Sequence, residues 1–223
     1  MSPLTRLGRR FQEAQQHLVA LPFGSVIVAS HAEDLNMPTD REIEIFDGFM
    51  HALGTAVFAW NDMIECLGIL FGGVMYPGSG VPPTAFAVWH STNSDRIQIE
   101  TLRAAARVAK RPDGNPLDPD GKIDWLCERA HNLANARNNV VHTPMTYETQ
   151  DGEISEIRAN QFFKHPRAKQ LADKNMMDEL DWLEDRATRL RDYALALSLS
   201  VQIDKHPLPD KPQLPNRGRR KSR

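Results

Sequence analysis

The sequence predicts a mainly α-helical protein: a bundle of about four to five long helices carrying one small β-hairpin insertion at about residues 145–158. Three observations predict it. Apolar residues recur at alternating three- and four-residue spacing through several long stretches, the signature of single helix faces. Clusters of Pro and Gly separate those stretches cleanly. A chain of 223 residues, 41% of them hydrophobic, is long enough to bury a core without disulfide or metal staples. The two cysteines, Cys66 and Cys127, stand apart, with no Cys-x-x-Cys and no clustered histidines, so each is expected to be a small buried hydrophobe.

Element by element, Leu4, Leu7, Phe11, Ala14, Leu18 and Leu21 share one face of a first helix, which Pro22 and Gly24 end. Residues 1–38 are thus an N-terminal helix and its connection, with a short β-branched stretch, Val26 to Val28, left unassigned. At Thr39-Asp40-Arg41-Glu42 a threonine hydroxyl and a glutamate three residues on can satisfy each other's free helix-end donors, so a long helix starts there. Two ladders run along it. Ile43, Phe46, Met50, Leu53, Val57, Trp60, Ile64, Leu67 and Phe71 form the expected seam, and Phe49, Ala52, Ala56, Ala59, Met63, Cys66 and Leu70 widen it, which makes this helix central.

Gly72 to Pro83 is a loop. Residues 84–110 follow as helix, with a break expected at Ser91-Thr92-Asn93-Ser94. Its second half sets Ile99, Leu102, Ala106 and Ala109 against a basic stripe of Arg96, Arg103, Arg107 and Lys110, a solvated face that doubles as a candidate phosphate contact. After another Pro- and Gly-rich loop, residues 122–141 form a helix with Leu126, Ala130, Leu133, Arg137 and Val140 on one side, which puts an arginine on an apolar seam. Asp151-Gly152 favours the tight turn of a hairpin. A last ladder, Met176, Leu180, Leu183, Ala187, Leu190, Ala194, Leu197 and Val201, closes the bundle, so residues 39–203 are its domain. Residues 204–223, with four prolines and several arginines, are expected to stay a disordered, solvated basic tail.

Charge and hydropathy exclude some functions. A net charge of −2 leaves no global attraction to nucleic acid, so any RNA surface must be local. The apolar stretch 51–75 carries Asn61, Asp62 and Glu65 at its middle. Ionisable groups at a bilayer centre cost at least about 2.5 kcal/mol each, so a soluble helix is expected, not a membrane span. Arg6, Arg9 and Arg10 precede no uninterrupted apolar run, so a secretory signal is not expected and the cytoplasm is.

The residues fit for chemistry are few. RNA carries its own nucleophile, the 2′-hydroxyl, so cleavage needs a base, an acid and cations on the phosphate, with no metal or cofactor obligatory. Histidine titrates near neutrality, and the arginine fork donates paired hydrogen bonds to phosphate oxygens without losing charge. Arg137-Asn138-Asn139-Val140-Val141-His142 supplies one of each, with Asn138 as a neutral orienting group. Thr143 precedes Pro144 and so leaves helical geometry, which sets His142 at a helix C-terminus, where carbonyl dipoles favour imidazolium. Five residues of ideal helix turn through about 140° and rise about 7.5 Å, so the pair meets only if the helix ends before His142 or if a two-fold axis reunites them. A homodimer is expected on that ground. Asp62 and Glu65, set in a largely apolar helix, want a cation. Arg137, Arg96 or Arg103 is the expected partner, in support of the site or as a structural ion pair.

This constellation resembles the HEPN family, whose motif is Arg, four to six residues, then His, late in a helix of an all-helical bundle. The resemblance covers about residues 39–203. It implies a metal-independent endoribonuclease, composite between two paired domains, of the kind found in toxin–antitoxin, anti-phage and RNA-processing systems, and hence RNA and a cognate antitoxin protein as partners. Carried onto this chain it makes Arg137 and His142 catalytic and Asn138 their polar neighbour. Arg10–His17 and Arg158–His165 fit the same spacing. The first lies in a peripheral helix and the second runs out of a hairpin, so Arg137–His142 is the pair of choice. The competing expectation is a non-catalytic interaction or nucleotide-binding bundle in which Arg137 merely pairs with Asp62 or Glu65. No Gly-x-Ser-x-Gly, P-loop, His-Glu-x-x-His or Gly-x-Gly-x-x-Gly offers another chemistry.

Overall fold

The computed structural model describes residues 39–79, 81–150, 153–162, 164–203 and 207–217. The first helix expected at residues 4–21, the stretch 26–28, the hairpin turn at Asp151-Gly152 and the last basic residues of the tail lie outside the described residues. Among those described, six helices and one two-stranded antiparallel sheet occur. They are α1 (Asp40–Met75), α2 (Pro83–His90), α3 (Asp95–Val108), α4 (Lys122–Val141), β1 (Met145–Gln150), β2 (Glu153–Ala159), α5 (Pro166–Gln170) and α6 (Met176–Gln202).

Helix α1 begins where the sequence places it. The Thr39 hydroxyl accepts from the Glu42 amide at 3.2 Å and the Glu42 carboxylate accepts from the Thr39 amide at 2.8 Å. It is the one helix among the described residues long and apolar enough to cross a bilayer, yet 67% of that window is buried against its own neighbours, so it packs as a core helix does. The second ladder, from Phe49 to Leu70, is buried throughout, whereas Ile43 and Met50 of the expected seam lie open. The reason is coverage. Helices α2 and α3 cover only the second half of α1, with Trp89 lying over Gly68 and Phe71, and Asp95 reaching Trp60.

Helices α1 and α6 run parallel, joined by Asp62 to Arg191 near their middles and by Gly73 beside Val201 at their ends. Helix α4 runs against both. Trp125 at its start meets Tyr193 late in α6 edge-on at 5.6 Å, and Asn139 at its end donates to Gln170 just before α6 begins. All eight ladder residues of α6 are buried, as are Leu126, Ala130, Leu133 and Val140 of α4. The chain breaks at Ser91–Ser94 as the sequence predicts. The hairpin pairs Met145 with Ala159 and Gln150 with Glu153, with a register shift between Glu148 and Thr149. Ile157 and Ala159 of β2 enter the core, so the hairpin is part of the bundle's packing.

Residues 207–217 depart from the expected solvated tail. Leu208 is buried, Leu214 packs against the core, and the carbonyls of Pro209 and Pro215 accept from Tyr193, Trp182 and Arg186. Arg217 lies 4.8 Å over the Trp182 ring and forks onto Glu179, a carboxylate that is almost wholly buried. A segment poor in apolar residues docks because its backbone carbonyls and one arginine meet buried donors and a buried charge on α6. Composition alone did not weigh those contacts.

Candidate active site

Helix α4 stops at Val141, one residue before the histidine. His142 occupies the C-cap at φ −109°, ψ 10°, with its amide still donating to the Asn138 carbonyl at 3.2 Å. The imidazole is exposed. Arg137, one and a half turns earlier, lies half-buried on the apolar seam with its guanidinium over the Trp60 ring at 6.0 Å. One guanidinium nitrogen, Nη1, donates to the Asn138 side-chain oxygen at 3.0 Å, while Nε is buried and donates to nothing. Among the described residues no carboxylate pairs with Arg137. Its positive charge is met only by an amide and an indole face.

The expected imidazolium of His142 is corrected by this setting. Burial first, then the positive charges of Arg137 and Arg167, push the imidazole below its ordinary pKa. Arg167 comes from α5, the one short helix absent from the periodicity; the Asn139–Gln170 hydrogen bond ties that helix to the end of α4.

Beside Arg137 a cavity of about 150 Å³ opens between α1, the start of α3 and α4. Trp60 forms part of its wall, and the indole Nε1–H donates to Asp95 Oδ2 at 2.8 Å. His131, Asn135 and Asn138 line it from α4 at four- and three-residue spacing, which puts all three on one helix face. His131 Nδ1 stands 3.5 Å from Glu100 and is buried without a hydrogen bond. Arg96 is exposed at the cavity.

The other expected site residues do not gather here. Asp62 pairs with Arg191 at 2.9 Å and Glu65 with His90 at 3.4 Å, and neither meets Arg137, Arg96 or Arg103. Their side of α1 is wetter than expected: Phe58 is 72% exposed, and the Glu65 side chain 56%. Both carboxylates are therefore engaged at the bundle surface, Asp62 in an ion pair and Glu65 against an imidazole. Arg103 and Arg107 both fork onto Asp124, at 2.8 Å each, near the far end of α3, roughly 12 Å along its axis from Asp95. Two of the four cations of the expected phosphate stripe are thereby held by one carboxylate. Lys110 is exposed past the end of α3 and bridges Pro116 through its backbone. Of that stripe, Arg96 alone lies beside Arg137.

Trp60, Asp95, His131 and Arg167 were not singled out from sequence. The His131–Asn135–Asn138 spacing could have flagged the first of the α4 residues. Nothing local announces a Trp60–Asp95 contact 35 residues apart. Compared with protein-family models, curated proteins and solved structures, the chain finds no match in any of the three.

Proposed function

We propose that the chain is a metal-independent endoribonuclease of HEPN type, acting as a homodimer in the cytoplasm, with Arg137 on the scissile phosphate and His142 in proton transfer. The observation that carries the reading is a half-buried guanidinium left without a carboxylate on an apolar seam, close enough to an exposed histidine to depress its pKa. A half-buried cation without an anion is costly to keep for structure alone, and a phosphodiester is an anion that would pair with it.

Proton transfer follows from the same charges. A neutral imidazole at working pH is ready to take the 2′-hydroxyl proton as that oxygen attacks the phosphorus. Arg137 then faces the charge growing on the phosphoryl oxygens, held in aim by Asn138. The leaving 5′-oxygen needs an acid, which a second protomer's site would supply. An antitoxin protein that covers this face would silence it.

The competing interaction-module reading requires Arg137 to be satisfied by Asp62 or Glu65, and both are engaged elsewhere. The test is cleavage of a long RNA by purified protein in EDTA, with Arg137→Ala and His142→Ala beside it. Each variant is expected to lose about 10²–10⁴-fold in rate. Equal cleavage by all three, or none by the wild type, ends the proposal.

A further inference from the structure

Resting on that reading of the neighbouring pair, we propose that the cavity between α1, α3 and α4 is a nucleobase pocket, holding the base of the nucleotide whose phosphate Arg137 contacts. Its size selects the ligand class. At about 150 Å³ it falls well below the roughly 300–1,000 Å³ that drug-sized ligands fill, so it takes one ring system.

Two of its polar side chains are held by hydrogen bonds to Trp60 and Arg137. Asp95 has one carboxylate oxygen held by the Trp60 indole, which leaves the other as an acceptor. Asn138 has its oxygen held by Arg137, which leaves its amide nitrogen as a donor. A fixed acceptor and a fixed donor in one small cavity match the edge of a base, where an N–H group sits beside a ring nitrogen or carbonyl. Asp95 in the wall disfavours a phosphate inside the cavity, and Arg96, exposed at the cavity, joins Arg137 as a cation for the anion, so the ring goes to the cavity. Asn138 touches both and sets their spacing. His131 lines the same cavity from α4, with its Nδ1 turned to Glu100 at 3.5 Å. Single-stranded RNA offers such unstacked bases, and duplex RNA does not.

The test uses the full chain and the four nucleosides adenosine, guanosine, cytidine and uridine, which lack the phosphate that Arg137 would hold. The Trp60 indole N–H resonance is followed by NMR, since that proton is bonded to Asp95. One nucleoside is expected to shift it at concentrations about ten- to a hundredfold below the poorest. Ala134→Phe, which fills the cavity from its wall, abolishes the shift, and Asp95→Asn, which keeps shape and folding, weakens it at least tenfold or changes the preferred base. No shift by any nucleoside, or a shift that survives Asp95→Asn unchanged in strength and preference, overturns the pocket. The two proposals fail separately. RNA cleavage without nucleoside binding removes the pocket alone, and nucleoside binding without cleavage removes the nuclease alone.

Discussion

Replacing Gly68 with alanine sets two opposed effects against each other within α1. Alanine in a helix interior is favoured over glycine by about 1 kcal/mol, because the unfolded chain loses less freedom. At Gly68 the added Cβ would lie 2.8 Å from both Cδ1 and Nε1 of Trp89, against the roughly 3.5–4.0 Å that non-bonded carbons prefer. The indole has little room to step aside: Trp89 is 1% exposed and lies tilted against Phe71 at 5.6 Å between ring centres. Overpacking of that kind costs about 1–3 kcal/mol, so with the helix gain of about 1 kcal/mol set against it the substitution is expected to cost about 0–2 kcal/mol net. Gly54 is the control on the same helix. It is exposed, and nothing lies within 4 Å of its added Cβ, so Gly54→Ala should gain about 0.5–1 kcal/mol. Urea unfolding followed by tryptophan fluorescence measures both. A Gly68→Ala midpoint raised as far above wild type as that of Gly54→Ala would refute the packing of α2 against α1.

Four further outcomes are expected. The carboxyl of Asp124 is held down to about 2 by hydrogen bonds from Arg103 and Arg107, so its contribution is whole above the ordinary carboxylate range and lost as pH falls toward 2; Asp124→Asn should flatten the acid limb of stability measured between about pH 5 and 2. Arg217→Ala leaves Glu179 buried with only Lys174 at 3.3 Å, and should cost about 1–2 kcal/mol in urea unfolding while opening residues 207–217 to protease. Burial pushes the thiol of Cys66 up to about 11 and that of Cys127 to about 12, so both should resist a thiol-labelling reagent at pH 8 until the protein unfolds. Arg137→Gln removes one of the two charges that depress His142, so NMR titration should show its imidazole pKa rising; an unchanged value would mean the two groups do not sense each other.

Periodicity made most of the architecture legible. The capping box at Thr39, the ladders of α4 and α6 and the break at Ser91–Ser94 all follow from local spacing and helix-end chemistry, which act within a few residues. What escaped depends on contacts between distant segments. Composition could not say that Pro209 and Pro215 would find donors on Tyr193 and Trp182, nor that Arg191, rather than an arginine of α3, would take Asp62. The site divides the same way. Arg137 on its seam and His142 past the helix end are local consequences of Val140 and Pro144, whereas the pKa of His142 depends on Arg167 from a helix of five residues, too short to leave a period.

That dependence bears on how many protomers the proposed chemistry needs. Cleavage at the 2′-hydroxyl uses a base and an acid in the same event, and one imidazole cannot be both at once. Burial and the charges of Arg137 and Arg167 lower the pKa of His142, which favours the base over the acid in the proposed chemistry. A second imidazole must come from elsewhere. His131 lies inside the bundle against Glu100, half a helix away, and is a poor source for a proton on an exposed leaving oxygen. In the proposed homodimer a two-fold copy would bring a second His142 whose pKa an incoming phosphodiester would raise, because the anion would offset the charges of Arg137 and Arg167. The substrate itself would then convert one of two equivalent histidines into the acid. Mixed dimers of wild-type and His142→Ala chains should therefore keep far less than half of the wild-type rate, where independent sites would keep half.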